Sequence, residues 1–226
     1  MHWQWLGRVP YADALAQQAT LVAARRANQV PDRLLLLEHP HVITLGASAH
    51  PDHVLLDAAE RQLLGIEVFE TGRGGDATYH GPGQLVGYPI LALTGERRDL
   101  HRYVRDLEEA LIRTLVDYDV PAQRIPGRTG VWVGTEKIAA IGVRVSSGWI
   151  TSHGFALNVS TDLTFFDAIV PCGIRHAGVT SITRCTGYDV AMYDVAQRVA
   201  AHFDDVFGTS SESLSAKTSR KTCCPV

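Results

Sequence analysis

Lysine is almost missing from this chain. Of 226 residues only Lys137, Lys217 and Lys221 are lysine, although lysine and arginine together number 21. Arginine therefore carries the positive charge, and arginine does not exchange its proton in proteins. Cysteine is scarce too: Cys172, Cys185, Cys223 and Cys224. Their spacing matches neither a disulfide framework nor a zinc site, so free thiols in a reducing cytoplasm are expected. His39 and His41 have no third ligand nearby, and no metal is expected. No apolar run reaches the roughly 18 residues of a membrane span. The start, Met1-His2-Trp3-Gln4-Trp5-Leu6-Gly7-Arg8, lacks the apolar run of a signal peptide. Acidic residues number 24, giving a net charge of −3. That total argues against a nucleic-acid partner.

What is present suits one domain. Apolar residues make up 46% and charged residues 20%, enough for a core of two or three layers. Residues 11–28 read as a helix, with Leu15, Ala19, Val22 and Ala23 recurring near a period of 3.6 and Pro31 past its end. Strands are expected over 34–38, 41–46, 66–70 and 85–90. A strongly amphipathic helix spans about 100–117. Leu100, Tyr103, Val104, Leu107, Leu111, Leu115 and Val116 form its inner stripe, with Arg105 and Glu108 outside it. Strands follow at 130–133 and 137–145, and Ser146-Ser147-Gly148 turns into a strand over 149–159. A last helix over about 190–207 turns Val195, Val199 and Phe203 inward. The hairpins speak against a purely parallel sheet. The expected fold class is α/β (α+β), a mixed β-sheet flanked by helices, over residues 1–207. Residues 208–226 are rich in Ser, Thr and Lys and read as a disordered tail.

Three features point to chemistry. Arg73-Gly74-Gly75-Asp76-Ala77-Thr78-Tyr79-His80-Gly81-Pro82-Gly83-Gln84 crowds glycines among polar side chains. Glycine lets a backbone approach a ligand closely, and the segment reads as a stiff, exposed turn that binds something. Pro171-Cys172-Gly173-Ile174 places a cysteine on a rigid turn. Such a cysteine is most often a small buried hydrophobe. It becomes a nucleophile only where its thiolate is stabilised, and Lys137 is a candidate for that role. The third feature is a hairpin poor in bulk. Ala139, Ala140, Gly142, Gly154 and Ala156 leave room above the sheet, with residues 140–142 expected opposite 152–154.

Taken together, the motifs resemble the lipoate-protein ligase B family, the octanoyltransferases of lipoate biosynthesis. The matching segments are Leu37-Glu38-His39-Pro40 with Thr44-Leu45-Gly46, the glycine segment, and Lys137-Ile138-Ala139-Ala140-Ile141-Gly142-Val143-Arg144. His153-Gly154-Phe155-Ala156-Leu157-Asn158 and Pro171-Cys172-Gly173-Ile174 with Val179-Thr180-Ser181 complete them. The resemblance implies the fold shared with biotin ligases and lipoate-protein ligase A. It implies transfer of an octanoyl group from octanoyl-acyl carrier protein to a lysine of lipoyl domains, in 2-oxoacid dehydrogenase E2 subunits and the glycine cleavage H protein. Cys172 would hold the acyl group as a thioester and Lys137 would shuttle its proton. Arg73, Gly74, Gly75, Asp76, Ala77, Thr78, Tyr79, His80, Ala140, Ile141, Gly142, Gly154, Phe155 and Ala156 would line the acyl pocket. No cofactor is implied. Arg144 and Arg175 are candidates to meet the acidic carrier.

Three rivals differ in chemistry. An ATP-dependent ligase of the same fold needs a basic phosphate loop, whereas the glycine segment carries Asp76 and a single arginine. A non-catalytic acyl-binding protein has no use for a Cys172 and Lys137 pair. A cysteine hydrolase needs a histidine base, for which His80 and His153 are available.

Overall fold

A computed structural model describes residues 1–170 and 178–208. The Pro171-Cys172-Gly173-Ile174 segment and the tail beyond Gly208 lie outside the described residues. The elements run β1 (His2–Arg8), α1 (Tyr11–Arg26), β2 (Arg33–Glu38), β3 (Val42–Leu45), α2 (Ala58–Leu63), β4 (Glu67–Glu70), β5 (Ala77–His80) and β6 (Gln84–Ile90). After them come α3 (Leu100–Val116), β7 (Ala122–Ile125), β8 (Arg128–Val133), β9 (Glu136–Ser146), β10 (Ile150–Asn158), α4 (Ile182–Thr186) and α5 (Met192–Phe207). Seven strands form one sheet in the order β1-β2-β6-β10-β9-β8-β7, and β4-β3-β5 form a smaller one. The β1–β2 and β3–β4 pairs are parallel and the others antiparallel, so both sheets are mixed.

Successive strand residues face opposite sides, and this explains the leucine run of β2. Leu34 and Leu36 join the main core under α3 and α5. Leu35 and Leu37 join a second cluster with Ala14 of α1, Val86, Tyr88 and Ala156. The large sheet is therefore covered on both faces. On the α3 side Leu107, Leu111, Leu115, Val195, Val199 and Phe203 are fully buried, each contributing about 1.5–3 kcal/mol.

Several expectations are corrected. In α1 the buried face is Tyr11, Ala14 and Gln18, about one residue's rotation from the expected stripe, and Ala19 and Ala23 are exposed. In α3, Leu100 and Val116 are 45% and 62% exposed, at the two ends where the helix overhangs the sheet. Glu108 is fully buried. Its carboxylate accepts from Arg105, Arg124 and the Gly130 N–H, which compensates the loss of water. The glycine segment is not an exposed turn. Ala77–His80 is a strand, and Arg73, Asp76, His80 and Gln84 are buried. Strand β1, where none was expected, pairs with β2.

The β9–β10 hairpin centres on Gly148, so Gly142 faces Gly154 and Ala140 faces Ala156, two residues beyond the expected register. Its three-residue loop needs positive φ at Gly148 and Trp149, +79° and +59°. The small residues here serve backbone approach as much as open space. A Cβ on Gly154 would stand 2.1 Å from the Gly87 carbonyl oxygen and 2.6 Å from Pro89 Cδ. One on Gly142 would meet the Gly74 carbonyl oxygen at 3.0 Å and Arg73 Cδ at 3.1 Å. Gly154→Ala is expected to lower stability by about 3 kcal/mol, as forced overpacking does. Urea unfolding checks this, and an unchanged midpoint would show that β6 and β10 can separate freely.

Candidate active site

The glycine segment is held between the two sheets by its own backbone. The Gly74 N–H donates to Val143 O of β9 at 2.9 Å, while Ala47 and Ser48 donate to the Arg73 and Gly75 carbonyls. Arg73 crosses beneath it. Its guanidinium donates to Thr44 Oγ1 and Thr44 O, to the Gly74 carbonyl and to the Asp76 carbonyl. Asp76 in turn accepts from His53 Nδ1 and the Ala77 N–H, each at 2.6 Å. Arg73 thereby organises the loop from within.

A buried polar network continues from there. His80 Nδ1 faces Gln84 Oε1 at 2.8 Å. Gln84 Nε2 donates to Tyr79 O and Asn158 Oδ1, so Oε1 is the acceptor and His80 carries its proton on Nδ1. Asn158 Nδ2 donates to Thr180 O at 3.0 Å. The Thr180 N–H donates to Lys137 O and the Lys137 N–H to Gly178 O. Lys137 is thus tied through its main chain to the residues that directly follow 171–177. Its Nζ lies 4.8 Å from the Trp132 ring centre.

Arg73, His80 and Lys137 border one cavity of about 550 Å³. Residues 73–78, His80, 140–142 and 154–156 all contribute to its wall. Ala140 and Ala156 pair across the hairpin and face the α1 side with Val86 and Tyr88. Phe155 points the other way and packs on Phe203, and Ile141 lies against the same core. Tyr79 lies outside the lining. Its ring stacks on Phe165 and its hydroxyl meets His41 Nδ1 at 2.7 Å. Cys172 lies outside the described residues.

The wall also contains residues that motif reading missed, among them Tyr11, Tyr88, Trp132 and His153. Only His153 carried a signal, as part of a motif and as a possible base. It holds a left-handed φ of +55° within β10, and its N–H donates to Gln18 Oε1. His39 bridges Val9 O and the Tyr88 hydroxyl. Cys185, at the fourth position of the short helix α4, is exposed.

With this geometry in place, comparison with known proteins defines the class. Residues 10–204 match the family described as Lipoyl protein ligase A/B catalytic domain, and the chain belongs to that family. An octanoyltransferase from Rubrobacter xylanophilus is 55% identical over 89% of this chain and 91% of its own length. One from Solibacter usitatus is 54% identical over 89% and 90%. A chain from the structure of the bi-partite lipoate protein ligase and its E2 lipoyl domain of Thermoplasma acidophilum superposes with a TM-score of 0.68. It is 18% identical and covers 92% of this chain and 84% of its own, a likeness of fold. Among the described residues no helix is long and apolar enough to cross a membrane.

Three histidines around the cavity are held uncharged at neutral pH. Burial, then the neighbouring His39, pushes His80 down to about 3. Burial pushes His39 down to about 4. Burial, with Arg73 and Arg144 adding to it, does the same to His153. Unfolded histidine titrates near 6.5, so between that value and about 4 the unfolded chain binds more protons than the folded one. Stability therefore falls as pH falls through this window, by up to about 1.4 kcal/mol per pH unit for each ring. Urea midpoints at pH 7, 5.5 and 4.5 are expected to drop steeply, and a flat profile would mean that the rings are solvated.

Proposed function

We propose that the cavity holds an octanoyl chain and that the enzyme transfers it from acyl carrier protein to a lysine of lipoyl domains through a thioester on Cys172. The enzyme is an acyltransferase of protein lipoylation. The acceptors in this reading are the lipoyl domains of 2-oxoacid dehydrogenase E2 subunits and the glycine cleavage H protein, and the reaction takes place in the cytoplasm.

One observation carries the mechanistic part. Lys137, the single lysine before residue 217, stands on the cavity wall, and its main chain is bonded to Gly178 and Thr180, just past the segment that contains Cys172. A lysine beside a thiol favours the thiolate. The thiolate attacks the donor thioester carbonyl. The new C–S bond forms to Cys172, the bond to the carrier sulfur breaks, and the departing thiolate takes a proton from Lys137. The acceptor amine then attacks the Cys172 thioester. The amide forms, the Cys172 sulfur leaves as thiolate, and Lys137 receives the amine proton. Both half-reactions exchange an activated acyl group, so no ATP enters. Burying the chain against Val86, Ala140 and Ala156 contributes about 0.8 kcal/mol per methylene.

Intact mass after incubation with octanoyl-acyl carrier protein tests this. Wild type is expected to gain an octanoyl adduct that hydroxylamine removes and an added lipoyl domain accepts. Cys172→Ser is expected to form no hydroxylamine-labile adduct, and Lys137→Ala to form it at least about a hundredfold more slowly. Free octanoate without transfer would favour a hydrolase, and no adduct on wild type would overturn the role of Cys172.

Arg144 supports an acidic donor. It is exposed and lies across Gly72, where a Cβ would stand 2.5 Å from its Nη1. Arg144→Glu is expected to raise KM for the carrier-bound donor about tenfold at low salt, while a short octanoyl thioester without the carrier is turned over as before. Equal effects on both donors would remove Arg144 from the docking surface.

A further inference from the structure

Thr44, Gln84 and Asn158 are fully or almost fully buried and polar, yet none lines the cavity. Octanoyl transfer as described gives them nothing to do. Buried polar groups of this kind are costly unless fully partnered, so their bonding pattern is informative. The donors all point one way. Arg73 Nε donates to Thr44 Oγ1 at 3.1 Å, leaving the Thr44 hydroxyl proton for His80 Nε2 at 3.5 Å, the longest link. His80 Nδ1–H continues to Gln84 Oε1, Gln84 Nε2–H to Asn158 Oδ1 at 3.0 Å, and Asn158 Nδ2–H to Thr180 O. The Thr180 N–H donates to Lys137 O at 3.0 Å, and the Lys137 N–H to Gly178 O at 2.9 Å. The side-chain bonds from Arg73 to Thr180 O are aligned head to tail and polarise one another, while from Thr180 to Lys137 the link is the rigid pairing of two main-chain segments. The direction requires a neutral His80 with its proton on Nδ1, and burial keeps that ring uncharged.

We propose that Thr44, Gln84 and Asn158 are positioning residues, which transmit the placement of the Arg73 wall through His80 to the main chain of Lys137. Arg73, His80 and Lys137 border the cavity, and Thr44, Gln84 and Asn158 act from behind it. The assignment rests on octanoyl transfer with Lys137 as proton carrier. A group that loses its alignment by about 1 Å costs on the order of a hundredfold in rate without loss of binding.

The test is steady-state octanoyl transfer by Gln84→Ala, Asn158→Ala and the double variant, with wild type and Lys137→Ala alongside. Each single variant is expected to lose ten- to a hundredfold in kcat, while KM for the donor and affinity for free octanoate stay within about twofold. The double variant is expected to be no slower than the slower single one, because one broken link already interrupts the chain. Hydrogen exchange, followed by mass spectrometry, is expected to speed up in the peptide containing Thr180. Unchanged kcat, losses that multiply in the double variant, or losses that follow the unfolded fraction seen by circular dichroism would each overturn the proposal. Should Asn158→Ala not fold, Thr44→Val keeps the volume and interrupts the other end, with the same kcat and KM outcomes deciding. Failure of wild type to transfer octanoate, or full activity in Lys137→Ala, would instead overturn the functional reading on which this rests.

Discussion

A guanidinium taken out of water must be surrounded by oxygen, and Arg73 meets that demand with the backbone around it. Thr44 of β3 and the Gly74 and Asp76 carbonyls of its own loop turn inward to accept from it. The smaller sheet and the glycine segment are thereby tied together, and the Gly74 N–H joins the segment to Val143 of β9. Losing the arginine would leave several buried acceptors without donors, which costs more than one ordinary hydrogen bond is worth. The loop is stiff for this reason, and glycine content alone does not explain it.

The same constraint changes what the small residues mean. Gly142 is small because Gly74 and Arg73 occupy the space above it, and Gly154 because β6 does. Ala140 and Ala156 leave the open volume. The cavity is therefore a gap between two tightly seated surfaces, with an apolar floor from the sheet and walls of buried, uncharged histidine. Arg73, Asp76, His80 and Tyr88 on its wall are engaged with neighbouring side chains or backbone. Lys137 sits where the main chain of β9 meets the 178–180 segment, so its position follows from backbone pairing.

Much of this was legible in the residues. Long periodic elements such as α3, α5 and the two strands of the β9–β10 hairpin stand where their patterns place them, with the hairpin register two residues further on, and the motif segments name the family to which the chain belongs. The failures have physical causes. The buried face of α1 departs from its apolar period because Gln18, a polar residue, turns inward to accept from the His153 N–H of a distorted strand. Charge usually stays outside, but Arg105 and Arg124 neutralise Glu108 in the interior. Strand β1 carries only the weak signal of Trp3 and Trp5 alternating with polar neighbours. Tyr79 sits among motif residues, yet strand alternation turns it away from His80 and the cavity.

By itself the sequence determined most of the longer local elements, the family and the residue types available for chemistry, including a single lysine before residue 217 where arginine could not exchange a proton. Only the tertiary structure decided that β6 lies between β2 and β10, that Arg73 packs on Gly142, and that His80 connects through Gln84 and Asn158 to the backbone of Lys137. Those facts depend on contacts between residues far apart in the chain. A periodic pattern records which face of a segment avoids water, but it does not record which other segment covers that face.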